Sequence, residues 1–70
     1  MKLTAARWLV LDNLREGWPY STNLDCNIAG EAYLWCVNNE LVKDGRITDA
    51  GKGVLAMNNH RNFLRVPPPP

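Results

Sequence analysis

Seventy residues make one domain at most, close to the lower limit at which a hydrophobic core sustains a fold unaided. With 46% hydrophobic residues, 21% charged and three tryptophans, the chain has material for a packed core and does not read as disordered, yet it leaves little room for a substrate cleft as well, which argues against catalysis. The net charge is only +1 and hides an asymmetry: residues 16–42 hold Glu16, Asp25, Glu31 and Glu40 with no Lys or Arg, while Lys2, Arg7, Arg15, Lys43, Arg46, Lys52, Arg61 and Arg65 lie in the flanks.

The first predicted element is a helix over residues 4–16. Thr4 suits the N-cap, Leu3 and Trp8 occupy the two positions of a hydrophobic staple, and Ala6, Val10 and Leu14 form an apolar stripe widened by Leu11. Gly17 is placed to end it, because glycine accepts left-handed geometry at low cost. Met1-Lys2 and the apolar residues to Leu14 superficially resemble an export signal, but Arg7, Asp12 and Asn13 interrupt the run and no small-residue cleavage site follows. No segment reaches the length of a membrane span. A soluble cytoplasmic protein with reduced thiols at Cys26 and Cys36 is therefore expected.

Pro19 forces Trp18 out of helical geometry, so Trp18-Pro19-Tyr20 is read as a connector. Ser21, Thr22 and Asn23 suit the cap of a short helix reaching about Cys26. A longer helix follows from Ile28 or Ala29 to Asn39, and its middle, Tyr33-Leu34-Trp35-Cys36-Val37, is apolar on every side. Such a helix is deeply buried or presents apolar surface to a partner.

Residues 41–48 read as a tight hairpin around Asp44-Gly45, a dipeptide suited to positive φ. In that register Val42 faces Ile47 on the core side, and Lys43 stands beside Arg46 on the other, two like charges that are mildly unfavourable unless an anion lies near. Thr48 or Asp49 caps a last helix to about Asn59 with Val54 and Leu55 inward. Gly51 and Gly53 would each weaken it by about 1 kcal/mol against alanine, so at least one should have a packing reason. Phe63-Leu64-Arg65-Val66 is a strand or an extended segment on the core, closing a single domain over residues 1–66. Pro67 to Pro70 is a polyproline tail.

Two stretches together resemble a family. Leu3-Thr4 with Val10-Leu11, Leu14 and Gly17, and then Leu41-Val42-Lys43-Asp44-Gly45-Arg46-Ile47-Thr48 with Gly51 and Leu55, resemble the opening and the close of small winged helix-turn-helix regulators. The resemblance implies a mainly α fold with a small β-hairpin, a winged-helix-like domain of three or four helices. It departs from the family in the short segment from Gly17 to Ala29, in the two-residue hairpin loop, and in Glu40, which stands where glycine is usual.

No catalytic, metal or cofactor site is expected. The chain has one histidine, His60, and its two thiols are ten residues apart, so no ligand cluster of usual spacing exists. Gly51 and Gly53 lack the pattern of a phosphate-binding loop, and no small-molecule substrate is implied. Two binding functions remain. On a DNA-binding regulator, the resemblance implies Ser21, Thr22 and Asn27 near phosphates and Gly30, Glu31, Leu34 and Asn38 toward base edges, with Lys43, Arg46 and Lys52 supplying cations for weak binding. If instead Tyr33 and Cys36 face inward, then Glu31, Leu34, Trp35 and Asn38 point outward, and a Trp beside a Leu rimmed by Glu and Asn has the composition of an interface with a protein partner or a homodimer. The alternative for Trp35 is packing beneath residues 63–66 of its own chain.

Overall fold

In the computed structural model, residues 3–58 are described, and they form three helices and one two-stranded hairpin. The order is α1 (Ala5–Arg15), α2 (Cys26–Asn38), β1 (Val42–Lys43), β2 (Arg46–Ile47) and α3 (Asp49–Met57). The fold is mainly α. His60, residues 63–66, the polyproline tail and the end of the domain at residue 66 lie outside the described residues.

Local chemistry accounts for each boundary of α1. The Thr4 hydroxyl accepts from the backbone N–H of Arg7 at 3.3 Å, and Leu3 and Trp8 are both buried as the staple requires. At the other end Gly17 N–H donates to Leu14 O and Trp18 N–H to Asn13 O, with Gly17 at φ 79. These paired bonds are a Schellman cap. Between the caps, residues 8–13 are all buried, so the apolar stripe expected on one face is too narrow a description: α1 is enclosed on nearly every side at its middle.

The short helix expected from Ser21–Asn23 to Cys26 does not form. The side-chain amide of Asn13, itself fully buried, donates to Tyr20 O at 3.0 Å and to Thr22 O at 2.9 Å, which takes up two carbonyls in this segment. Thr22 Oγ1 donates to Pro19 O, and Asn23 turns left-handed at φ 63. The result is a run of turns pinned to α1. The long helix then starts earlier than expected, at Cys26, because the Asp25 carboxylate accepts from the N–H groups of Asn27 and Ile28.

Hairpin and α3 follow the expected register. Val42 pairs with Ile47 and Lys43 with Arg46, and the turn residues Asp44 and Gly45 sit at φ 53 and φ 77. Thr48 joins three elements: its hydroxyl donates to Glu40 O and accepts from Gly51 N–H, while its own N–H donates to Leu41 O. Gly51 has a packing reason and Gly53 has none. A Cβ on Gly51 would lie 2.3 Å from the Leu41 carbonyl oxygen, whereas one on Gly53 meets nothing within 4 Å. Helix α3 ends at Met57, and Asn58 closes it back on the start of the chain, its side-chain oxygen accepting from Leu3 N–H.

The core is therefore α1 at the centre, with Val10 and Leu11 fully enclosed, covered by Ala29, Ala32 and Cys36 of α2, by Leu41 and Val42, and by Leu55 of α3.

Candidate functional site

Helix α2 turns small residues to the core. Ala29 and Cys36 are fully buried and Ala32 nearly so, while Tyr33 and Trp35 pack at the flanks of this face and other large side chains stay outward. Leu34 is 61% exposed, Ile28 50% and Val37 38%. These are apolar groups left open on a helix in a small domain, where apolar surface is scarce.

Between the first turns of α1 and the outer flank of α2 runs an open groove of about 440 Å³, lined by Thr4, Ala6 and Arg7 on one side and by Ile28, Glu31, Ala32, Leu34, Trp35 and Asn38 on the other. All four residues expected on a partner surface line it: Glu31, Leu34, Trp35 and Asn38. Glu31, Leu34 and Asn38 are exposed. Trp35 differs from expectation. It is half-buried on the flank of the helix and packs against the core, and the Arg7 guanidinium lies over its ring, 4.0 Å from the centroid. The rotation has a simple cause. The inner face is centred on Ala29, Ala32 and Cys36, and Tyr33 sits at its edge, half-buried, its ring tilted 39° against that of Tyr20 with 4.5 Å between centroids.

Arg7 brings a cation from α1 to a helix that has none of its own. Its positive charge and the carboxylate of Glu31 share the groove, and neither makes an ion pair with another described residue. Contact with the indole ring holds the guanidinium against the wall of the groove.

Of the residues expected for nucleic acid, Glu31, Leu34 and Asn38 of the base-edge set line this groove, whereas the phosphate-contacting and cationic residues do not. Ser21 and Thr22 are half-buried in the turn segment, and Asn27 is exposed at the first turn of α2. Lys43 and Arg46 are exposed side by side on the hairpin, and Lys52 is exposed on α3. The backbone donors at the start of α2, which would be the natural seat for a phosphate, are already taken by Asp25, a second negative charge.

Both thiols lie on α2, at its first turn and near its last. Ten residues of helix separate them by about 15 Å, too far for a disulfide. Cys26 is exposed; Cys36 is buried, and burial pushes its thiol from 9.0 up to about 11, partly opposed by the nearby charge of Arg7. A thiol so far from ionisation is a packing group. Among the described residues no cluster of His, Cys, Asp and Glu can hold a metal ion, and no helix is long and apolar enough to cross a membrane.

Sequence reasoning missed Arg7, Ile28 and Asp25 as parts of this region. Asp25 carried a readable signal, an N-cap residue directly before the helix. Arg7 carried none, since no local spacing rule links residues 7 and 35. In comparisons with known proteins, the chain matches no family model, no curated protein and no solved structure.

Proposed function

We propose that this chain is a non-catalytic binding module that engages a protein through the outward face of α2, on a scaffold of winged-helix type. The order helix, helix, hairpin, helix and the Thr48 start of α3 support the scaffold reading. The observation that carries the function is Leu34: the middle of a helix rooted in the core holds a leucine 61% exposed, flanked in the same groove by Ile28, Trp35, Glu31 and Asn38. Apolar anchors with a polar rim are the composition of a protein interface.

A second reading, a DNA-binding transcriptional regulator of the phage or mobile-element kind, is favoured by one observation, the side-by-side exposure of Lys43 and Arg46 on the hairpin. Against it stands α2, which would be the recognition helix. It has no cation, carries Glu31 on its open face, and begins at a carboxylate. Affinity for DNA comes mostly from neutralised phosphates, so weak and non-specific binding is the expected limit.

Two measurements separate the readings. Cross-linking and capture with the wild type, Leu34→Asp, and Lys43→Glu/Arg46→Glu should lose the bound protein only with Leu34→Asp. Titration against duplex DNA should give no micromolar complex at physiological salt. A micromolar or tighter, sequence-dependent complex that the hairpin double variant abolishes would transfer the function to DNA.

A further inference from the structure

The α2 groove contains one charge of each sign, Arg7 and Glu31, and neither is paired with another described residue. Around them stand the apolar groups of Ile28, Leu34 and Trp35. A foreign partner could cover the apolar groups, but it would need an acid and a base at matching places as well. A second copy of the chain carries both by construction.

The spacing suits a two-fold axis. The Arg7 guanidinium marks the Trp35 side of the groove, since it lies over that ring. Glu31 is four residues, about 6 Å, back along the helix from Trp35. An axis crossing α2 midway between these levels runs the two α2 helices antiparallel. It brings Glu31 of each copy level with Arg7 of the other, so the ion pair forms twice. Leu34, the most exposed apolar side chain of the groove, then lies beside the axis, near its own symmetry mate. Isologous contacts require a surface that is complementary to itself in this sense.

We propose that the α2 groove is closed by a second copy of this chain, forming an antiparallel homodimer with reciprocal Arg7–Glu31 pairs across Leu34. This proposal rests on the reading of α2 as a protein-binding face and names its occupant. A standard interface buries roughly 800 Å² on each partner, about a sixth of the 4907 Å² surface of this chain. The groove and one helix face supply less than a large obligate interface, so the expected dissociation constant is on the order of micromolar.

Sedimentation of the full chain from about micromolar to millimolar concentration tests this, with folding of every variant checked by circular dichroism. The wild type should pass from monomer to dimer. Leu34→Asp should remain monomeric, and Arg7→Glu alone and Glu31→Arg alone should each weaken association at least tenfold, because each sets like charges opposite one another. An equimolar mixture of Arg7→Glu with Glu31→Arg should recover the dimer, since in the mixed pair every charge again faces its opposite. A chain that stays monomeric to millimolar concentration, or a mixture that fails to recover, overturns the proposal. So does a dimer indifferent to all three substitutions, which would use another face. If the dimer fails in any of these ways while Leu34→Asp still abolishes capture of a different protein, α2 remains a protein-binding face with another occupant; if that capture is absent too, both readings fall.

Discussion

Helices α1 and α2 are similar in length, 11 and 13 residues, yet they use their apolar residues in opposite ways. α1 has the less apolar sequence and is enclosed at its middle, burying even Asp12 and Asn13. α2 is the more apolar helix and buries only Ala29, Ala32 and Cys36, while Ile28, Leu34 and Val37 stay largely open. The lesson is that apolar content does not say where a helix lies. What matters is which residues are turned inward: α2 turns small ones to the core, so its large residues pack at the flanks, as Tyr33 and Trp35 do, or stay outward, as Ile28 and Leu34 do.

The contrast breaks most visibly by truncation. Leu11→Ala, at a fully buried position of α1, should lose about 2–5 kcal/mol, enough to unfold most of so small a domain, as thermal denaturation would show. Leu34→Ala, the same chemical change on the open face of α2, should stay within about 0.5 kcal/mol. Trp35→Ala is a poorer probe of the outer face than sequence alone suggests, because its half-buried ring also packs on the core and under Arg7.

The two cysteines report the same contrast on a single helix. Cys26 should react with an alkylating reagent at once, and Cys36 only through opening of the fold, slower by roughly two or three orders of magnitude for a domain of this stability. The linkage of Cys36 to pH has a definite sign. Burial holds the Cys36 proton to about 11, while the unfolded chain releases it near 9.0, so folding stability falls as pH rises through that interval. Cys36→Ala should flatten this alkaline loss in denaturant titrations. An unchanged slope would mean that other groups cause it.

Much of the scaffold was legible because its signals are local. Thr4 with Leu3 and Trp8, the Asp44-Gly45 turn and the Thr48 cap each depend on neighbours within a few residues, and each appears as expected. The start of α2 was not, because Ser21, Thr22, Asn23 and Asp25 compete as caps. The winner is settled by Asn13, whose amide holds the connector against α1 from another element. The candidate groove divides along the same line. Helical spacing, with Tyr33 and Cys36 taken as inward, grouped Glu31, Leu34, Trp35 and Asn38, but the wall containing Arg7 arises from packing of α1 on α2, and the half-burial of Trp35 follows from Ala29, Ala32 and Cys36 centring the inner face.

A milder test refills that small-residue face. Ala32→Leu adds three carbons where α2 rests against α1, and overpacking of this kind should destabilise by about 1–3 kcal/mol. If instead the variant is as stable as the wild type, the inner face does not require small residues, and the outward turn of Leu34 needs another cause.

A gain in stability, rather than a loss, is expected where the two helices end. Both finish in the same paired hydrogen bonds: Gly17 and Trp18 close α1, and Glu40 N–H to Val37 O with Leu41 N–H to Cys36 O closes α2. The first-named residue of each pair is left-handed, Gly17 at φ 79 and Glu40 at φ 62. Glycine tolerates that geometry freely, whereas an L side chain is disfavoured there by roughly 1–2 kcal/mol. Glycine also has more freedom to lose on folding, which offsets part of the gain. Glu40→Gly should therefore stabilise the domain by about 1 kcal/mol, a rise of roughly 4–8 °C in melting temperature. The Glu40 side chain is exposed, and the contact that must survive is Thr48 Oγ1 donating to the Glu40 carbonyl, which a change of side chain leaves in place. A variant that melts lower than the wild type would show that the Glu40 side chain does more for the α2 terminus than its backbone strain takes away.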